Sequence, residues 1–226
     1  MSAPALTILK DWPRFAIEHY PVFSQASSSQ FSDATNGVGT LKQPLRRFSG
    51  GVRLMGSALP VWTAPGDNLA PYAALKVVQP GDILVVASAS HTGCALLGDH
   101  IMGLLNNAKA AGMITDGLVR DLEGLRDINL PVYAAGTSPL VPTKHGPGTV
   151  GLPITLGSVV IHPGDLVIAD DDGIVIVPPA AFAQVSDKLI ALREQDAKLE
   201  QRVRAGATEP PDFEQLLERV GVRWLT

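Results

Sequence analysis

A single cysteine, Cys94, stands in this chain of 226 residues, so no intramolecular disulfide can form. That scarcity fits a reducing, cytoplasmic setting, and a lone thiol among alanines and leucines reads as a core residue. Histidine is also rare, and none of the five is spaced as HxxxH, which argues against a zinc site. Charged residues make up only 18%, with a formal net charge of -4, so no basic surface for nucleic acid is expected. No apolar run reaches the roughly eighteen residues of a membrane-spanning helix. The first residues lack the basic region and apolar stretch of a secretory signal. The glycines are scattered, so neither a phosphate cradle nor a dinucleotide fingerprint is present.

What the chain does hold is 46% hydrophobic residues, enough for one sizeable core, together with 22 glycines and 18 prolines that favour tight turns. Residues 1–30 carry Trp12, Phe15, Ile17, Tyr20 and Phe23, a density that predicts packing on the body or on a neighbouring copy. Ser32-Asp33-Ala34 reads as a helix start that Gly37 and Gly39 end quickly, and Arg46, Arg47 and Arg53 as solvated. Pro-Gly-Asp occurs at residues 65–67, 80–82 and 163–165. The first leads into a helix over 69–78, capped by Asp67-Asn68 after a strand at 61–64. The other two open the apolar runs 83–87 and 166–169, which have the unbroken pattern of strands buried on both faces. Two or three strands are expected between 150 and 177, with Asp172-Gly173 as a hairpin turn. One long helix follows over 180–205, with Phe182, Val185, Leu189, Leu192 and Leu199 as its apolar stripe. Residues 207–226 read as a tail.

The stretch Gly98–Asp121 carries the chemistry. Gly98-Asp99 signals a helix N-terminus, with Ile101, Leu104, Leu105 and Ala108 at helical spacing and Gly112 as its left-handed end. Met113-Ile114-Thr115 is then a short buried strand, Asp116-Gly117 a turn, and the unit closes on Val119-Arg120-Asp121. A helix N-terminus suits a small carboxylate ligand. An arginine beside it can grip a 2-oxo acid through forked charge-assisted bonds. Two acids without basic partners of their own suit a hard divalent cation. The bland alternative is a capping Asp99 and a surface ion pair at Arg120-Asp121.

Asp99, twenty intervening residues, then Arg120-Asp121 resembles the signature of the class II pyruvate aldolases acting on 4-hydroxy-4-methyl-2-oxoglutarate, a family that includes the RraA-like proteins. Residues 64–68 (APGDN), 151–157 (GLPITLG), 162–165 (HPGD) and 169–178 (ADDDGIVIVP) extend the likeness over roughly 30–205. The resemblance implies a compact single-domain α/β fold with β/β/α layers, of the swivelling-domain type, spanning 31–206 between the N-terminal extension and the tail. It also implies a homotrimer or homohexamer. By the same likeness Asp121 is the ligand of a Mg²⁺ (or Mn²⁺) ion and Arg120 holds the substrate and stabilises an enolate. Asp99 bonds metal-bound water, and Gly98, His100, Ile101 and Met102 bind the pyruvyl carboxylate. Glu194, with Asp196 as the spare, is the match for a glutamate reaching a neighbouring subunit's site. The implied reaction is retro-aldol cleavage of a 4-hydroxy-2-oxo diacid to pyruvate and a second 2-oxo acid, with oxaloacetate decarboxylation on the side. No lysine is expected where it could form a Schiff base, and loop 137–149 is the expected pocket wall. The competing readings are a non-catalytic regulator that binds a ribonuclease or helicase, and a same-fold enzyme acting on another 2-oxo acid. One departure stands out: where the family often has an acid three positions after the Arg-Asp pair, this chain has Gly124, preceded by Glu123.

Overall fold

The computed structural model describes residues 4–14 and 19–225, so Phe15 and Ile17 lie outside the described residues. Apolar alternation builds a nine-stranded mixed sheet from β1 (Leu6–Ile8), β2 (Arg46–Ser49), β3 (Leu54–Thr63), β4 (Asp82–Ala87), β6 (Gly112–Thr115), β8 (Val132–Ala134), β10 (Gly148–Val150), β13 (Leu166–Ala169) and β14 (Ile174–Val177). Its path is β1-β10-β3-β4-β6-β8-β2, with the β13–β14 hairpin attached to the first half of β3. β5 (Ala95–Leu97), β7 (Leu118–Val119) and β9 (Gly136–Thr137) form a small parallel sheet, and β11 (Ile154–Leu156) pairs with β12 (Val159–Ile161). The helices are α1 (Ser28–Ala34), α2 (Leu69–Ala74), α3 (Asp99–Asn107), α4 (Leu122–Ile128), α5 (Phe182–Arg204) and α6 (Phe213–Val220).

The central strands β4, β6 and β8 run parallel and are buried throughout, as continuous apolar runs require. Their alternate residues divide between two cores. Leu84, Val86, Met113 and Val132 meet α2, α3 and α4, while Ile83, Val85, Ile114 and Tyr133 meet Ile154, Leu156 and Ile161 of the β11–β12 hairpin. The β13–β14 hairpin repeats the device: its other face, Leu166, Ile168, Val175 and Val177, packs on Phe23, Phe31, Phe182, Val185 and Leu189. Each buried aliphatic side chain contributes about 1.5–3 kcal/mol to this packing. The α/β class with β/β/α layers therefore holds, and no described helix is long and apolar enough to cross a membrane.

Several expectations are corrected. β3 begins seven residues before the expected strand and runs through Gly56 and Pro60. Pro60 is tolerated because that edge of β3 passes there from β13 to β10, so no ladder bond needs its missing N–H. α1 starts at Ser28 and not at Ser32, because Ser27 and Gln30 close a capping box four residues earlier. α3 ends at Asn107 and Lys109 takes the left-handed position (φ 60°), while Gly112 opens β6, where a Cβ would lie 2.7 Å from Leu54. Four strands, not two or three, lie between 150 and 177, and α6 forms within the expected tail. Arg47 pairs with Asp171 at 2.9 Å, and Arg53 donates to the carbonyls of Phe23, Ser24 and Ala26, so these two arginines fasten loops. α5 keeps the expected stripe only in part, because Leu199 is exposed.

Candidate active site

Two short strands assemble the site. β5 and β7 are parallel neighbours with Leu97 opposite Val119, and the Arg120 amide donates to the Leu97 carbonyl at 3.0 Å. The residues that follow each strand must then fall side by side. Gly98 leads into α3, and Arg120-Asp121 leads into α4. Asp121 makes that turn in a left-handed conformation (φ 58°, ψ 49°), which aspartate adopts more readily than most residues.

Gly98 is the N-cap of α3 and Asp99 its first helical residue, one position later than a capping aspartate would stand. One Asp99 oxygen accepts the His100 amide at 2.7 Å. The Met102 amide is engaged by the Gly98 carbonyl, so the first-turn donors left for a ligand are the amides of Asp99 and Ile101. Ile101 and Met102 bury their side chains in the core, and His100 points outward from the rim with its side chain 89% exposed. Arg120 Nε lies 3.1 Å from Asp121 Oδ2, with both side chains a third or more open to solvent. The fit is close: a Cβ on Gly98 would sit 2.3 Å from that same carboxylate oxygen. A Cβ on Gly124 would meet the Asp99 carboxyl at 2.6 Å, while Glu123 is exposed. The acid at 123 therefore does not replace one at 124, since successive helical residues lie about 100° apart.

Across a small pocket of about 90 Å³ stands a second wall, made by Asn68, Tyr72, Val141, Pro142 and Lys144. Loop 137–149 is therefore pocket wall as expected. It brings a lysine to the wall: Lys144 Nζ lies 4.8 Å over the Tyr72 ring. Lys144 is exposed, unlike the desolvated lysines that act as Schiff-base nucleophiles. Buried Asp67 pins this loop, accepting from the Thr143 hydroxyl at 2.8 Å, the His145 amide at 2.5 Å and the Leu69 amide at 2.8 Å. Burial alone would raise the Asp67 carboxyl, but these bonds outweigh it and hold the group below the ordinary carboxylate range. The sequence quoted Asn68 only as a cap and Lys144 only as loop. Neither carries a sequence signal for the pocket: Asn68 has the composition of a cap, and its missing capping bond shows only in the fold.

Glu194 does not join this pocket within the chain. It is exposed on α5 and lines a separate groove with Lys198, Gln201 and Arg204, and Asp196 accepts from Gln30 at 2.6 Å. Among the described residues no three His, Cys, Asp or Glu side chains converge as a metal cluster. A closed tetrahedral site has no candidate ligands there. Two half-open carboxylates with room for water do fit a hard, oxygen-seeking cation. Cys94 is buried, and burial pushes its thiol up, away from nucleophilic use.

Comparison with known proteins agrees with this fold. Residues 20–176 match the RraA-like family, described as Aldolase/RraA. A protein of Halalkalibacterium halodurans named "Putative 4-hydroxy-4-methyl-2-oxoglutarate aldolase" is 31% identical over 189 residues, covering 84% of this chain and 89% of the relative. Streptomyces coelicolor RraAS2, titled an unusual member of the RNase ES inhibitor RraA protein family, superposes with TM-score 0.75 at 27% identity, over 83% of this chain and 98% of its own. An uncharacterized protein of Pseudomonas syringae shares the fold, with TM-score 0.76 at 21% identity over 87% of this chain and 97% of its own. The match over residues 20–176 and the 31% identical relative place the chain in one group: it belongs to the Aldolase/RraA family.

Proposed function

We propose that the chain is a divalent-metal-dependent lyase that cleaves a 4-hydroxy-2-oxo diacid to pyruvate and a second 2-oxo acid. The observation that carries this is the convergence of Asp99, Arg120, Asp121 and a helix N-terminus on one pocket, with the carboxylates left open to solvent. A protein that only docks on another has no need for that set together. The relative named as an aldolase supports the same reading.

In this reading Asp121 would hold Mg²⁺ or Mn²⁺, and Asp99 would bond a water beside it. The cation supplies a Lewis acid beside the 2-oxo group. The α3 N-terminus receives the pyruvyl carboxylate, and Arg120 donates to the oxygen on which negative charge develops. The C3–C4 bond breaks, its electron pair passes into the pyruvate enolate, and the C4 hydroxyl loses its proton to a water steadied by Asp99. The C4 oxygen becomes the carbonyl of the departing 2-oxo acid, and C3 is then protonated. Oxaloacetate gives the same enolate by losing carbon dioxide, so its decarboxylation is the expected side activity.

Pyruvate release from 4-hydroxy-4-methyl-2-oxoglutarate and from oxaloacetate, with Mg²⁺ or Mn²⁺ and with a chelator, tests the proposal. Turnover that the chelator abolishes and Asp121→Ala lacks is expected. Absence of turnover on both substrates with metal present overturns it and leaves a regulatory role or another 2-oxo acid.

A further inference from the structure

The wall opposite Arg120 contains a polar group that the fold leaves unused. Asn68 stands at the N-cap of α2, yet its side chain makes no capping bond. Asp67 takes that task through the Leu69 amide. The Asn68 Nδ2 donates to the Leu96 carbonyl at 2.8 Å, which fixes the orientation of the amide because a carbonyl can only accept. Its Oδ1 is therefore the free end. That oxygen is buried, has no hydrogen-bond partner, and belongs to a residue only 5% exposed on the pocket wall. A buried acceptor left unpaired costs about 1–3 kcal/mol unless a ligand or water satisfies it.

Lys144 stands on the same wall. Its loop is sewn to the 66–68 turn by the Thr143 amide to the Gly66 carbonyl at 2.8 Å and the Asn68 amide to the Thr143 carbonyl at 3.0 Å, besides the Asp67 bonds. The Tyr72 ring beneath Nζ steadies the ammonium without neutralising it. Among the described residues no carboxylate pairs with Lys144. A rigid platform thus offers one hydroxyl acceptor and one cation, across the pocket from Arg120.

We propose that Asn68 and Lys144 form the subsite for the departing half of the substrate, Asn68 Oδ1 accepting the C4 hydroxyl in the bound ground state, before that hydroxyl turns to release its proton to the Asp99 water, and Lys144 pairing with the distal carboxylate. This rests on the lyase reading for the identity of the pyruvyl half, and it makes the substrate class a hydroxylated diacid. A 2-oxo monoacid without the hydroxyl would leave both groups idle. Lys144 acts as a charge and forms no covalent bond, so arginine can replace it.

Calorimetric binding with Mg²⁺ present, for wild type, Lys144→Gln and Lys144→Arg, tests the charge. The ligands are pyruvate and 2-oxoglutarate, a diacid with no 4-hydroxyl to cleave. Expected is tighter binding of 2-oxoglutarate than of pyruvate by wild type. Lys144→Gln should weaken the diacid about tenfold and leave pyruvate within twofold, and Lys144→Arg should restore the preference. Equal losses for both ligands, or no diacid preference in wild type, overturn the subsite. For Asn68→Ala, thermal unfolding first confirms the fold. Its affinity for 4-hydroxy-2-oxoglutarate (read as KM, or calorimetrically if no pyruvate is released) should then fall to that for 2-oxoglutarate. An undiminished preference for the hydroxylated diacid overturns the Asn68 role. Diacid binding that depends on Lys144 without pyruvate release would sink the lyase reading and leave the subsite standing.

Discussion

Asp82 and Asp121 are both aspartates at tight turns, yet their carboxylates keep opposite company. Asp82 is wholly buried; its oxygens accept from Arg14 Nε at 2.9 Å, Arg14 Nη2 at 3.2 Å and the Gln79 amide at 2.9 Å. Asp165 accepts the amide of His162 at 2.7 Å, three residues back as Gln79 is from Asp82, and Asp116 takes the amides of Ser88 and Ser90 at 2.7 Å. In the two later Pro-Gly-Asp turns a left-handed glycine (φ 85° and 88°) lets the aspartate side chain fold back on the turn, as a type II turn permits. Asp121 has Arg120 beside it and 40% of its side chain open to solvent. A carboxylate saturated by the chain spends its charge on the fold, and one left open keeps it for a ligand. The first Pro-Gly-Asp lies between these cases: Asp67 is saturated too, but its bonds fix a wall of the pocket.

This division can be broken from either side. The largest effect belongs to Asp82→Ala, which removes the buried partner of Arg14, leaving it the exposed Asp11, and is expected to cost about 3 kcal/mol of stability. Denaturant unfolding reads it, and the activity of the folded fraction should be unchanged. Arg120→Met should do the reverse, lowering kcat by about 10²–10³ through loss of a charge-stabilising donor. Its unfolding free energy should stay within about 0.5 kcal/mol of wild type, because the Arg120–Asp121 pair is half exposed. Gly98→Ala is intermediate. The added methyl lands on Asp121 Oδ2 and displaces it, so pyruvate release is expected to drop about 10²-fold with little change in thermal midpoint.

The smallest effects separate the saturated aspartates from one another by sign. Asp67 titrates below the ordinary carboxylate range in the fold, so its stabilisation is present above that range and lost as pH falls through the folded value. Asp82 is pushed up by burial despite Arg14 and the Gln79 amide, so the folded state binds its proton more readily and stability declines as pH rises through that region. The penalty of Asp67→Asn should therefore grow between about pH 3 and 5, and that of Asp82→Asn should shrink as pH rises from about 4. Unfolding midpoints across pH for both variants check the opposite slopes.

The open carboxylates were more legible in the sequence than the walls around them. Asp99, Arg120 and Asp121 sit at element ends within one short stretch, and the adjacency of β5 and β7 converts that spacing into contact. Strands β4, β6 and β13 were legible because an apolar run buried on both faces has few alternatives. β3 was obscured by Pro60, whose tolerance depends on a change of pairing partner that only the sheet reveals. Capping residues misled in both directions: Asn68 has the composition of a cap and does not cap, while Ser27 and Gln30 close a box ahead of the helix start expected at Ser32. α6 was hidden behind Pro210-Pro211, which mark where a helix cannot pass but not where the next begins.

Binding of Mn²⁺ to the metal-free chain, followed by electron paramagnetic resonance, tests the division most directly. Wild type, Asp67→Asn and Asp165→Asn are expected to take up one ion per chain, and Asp121→Asn to lose it while keeping the wild-type unfolding midpoint. Undiminished uptake by Asp121→Asn, or loss in the folded Asp165→Asn chain, would contradict the assignment of the open carboxylates to the ligand.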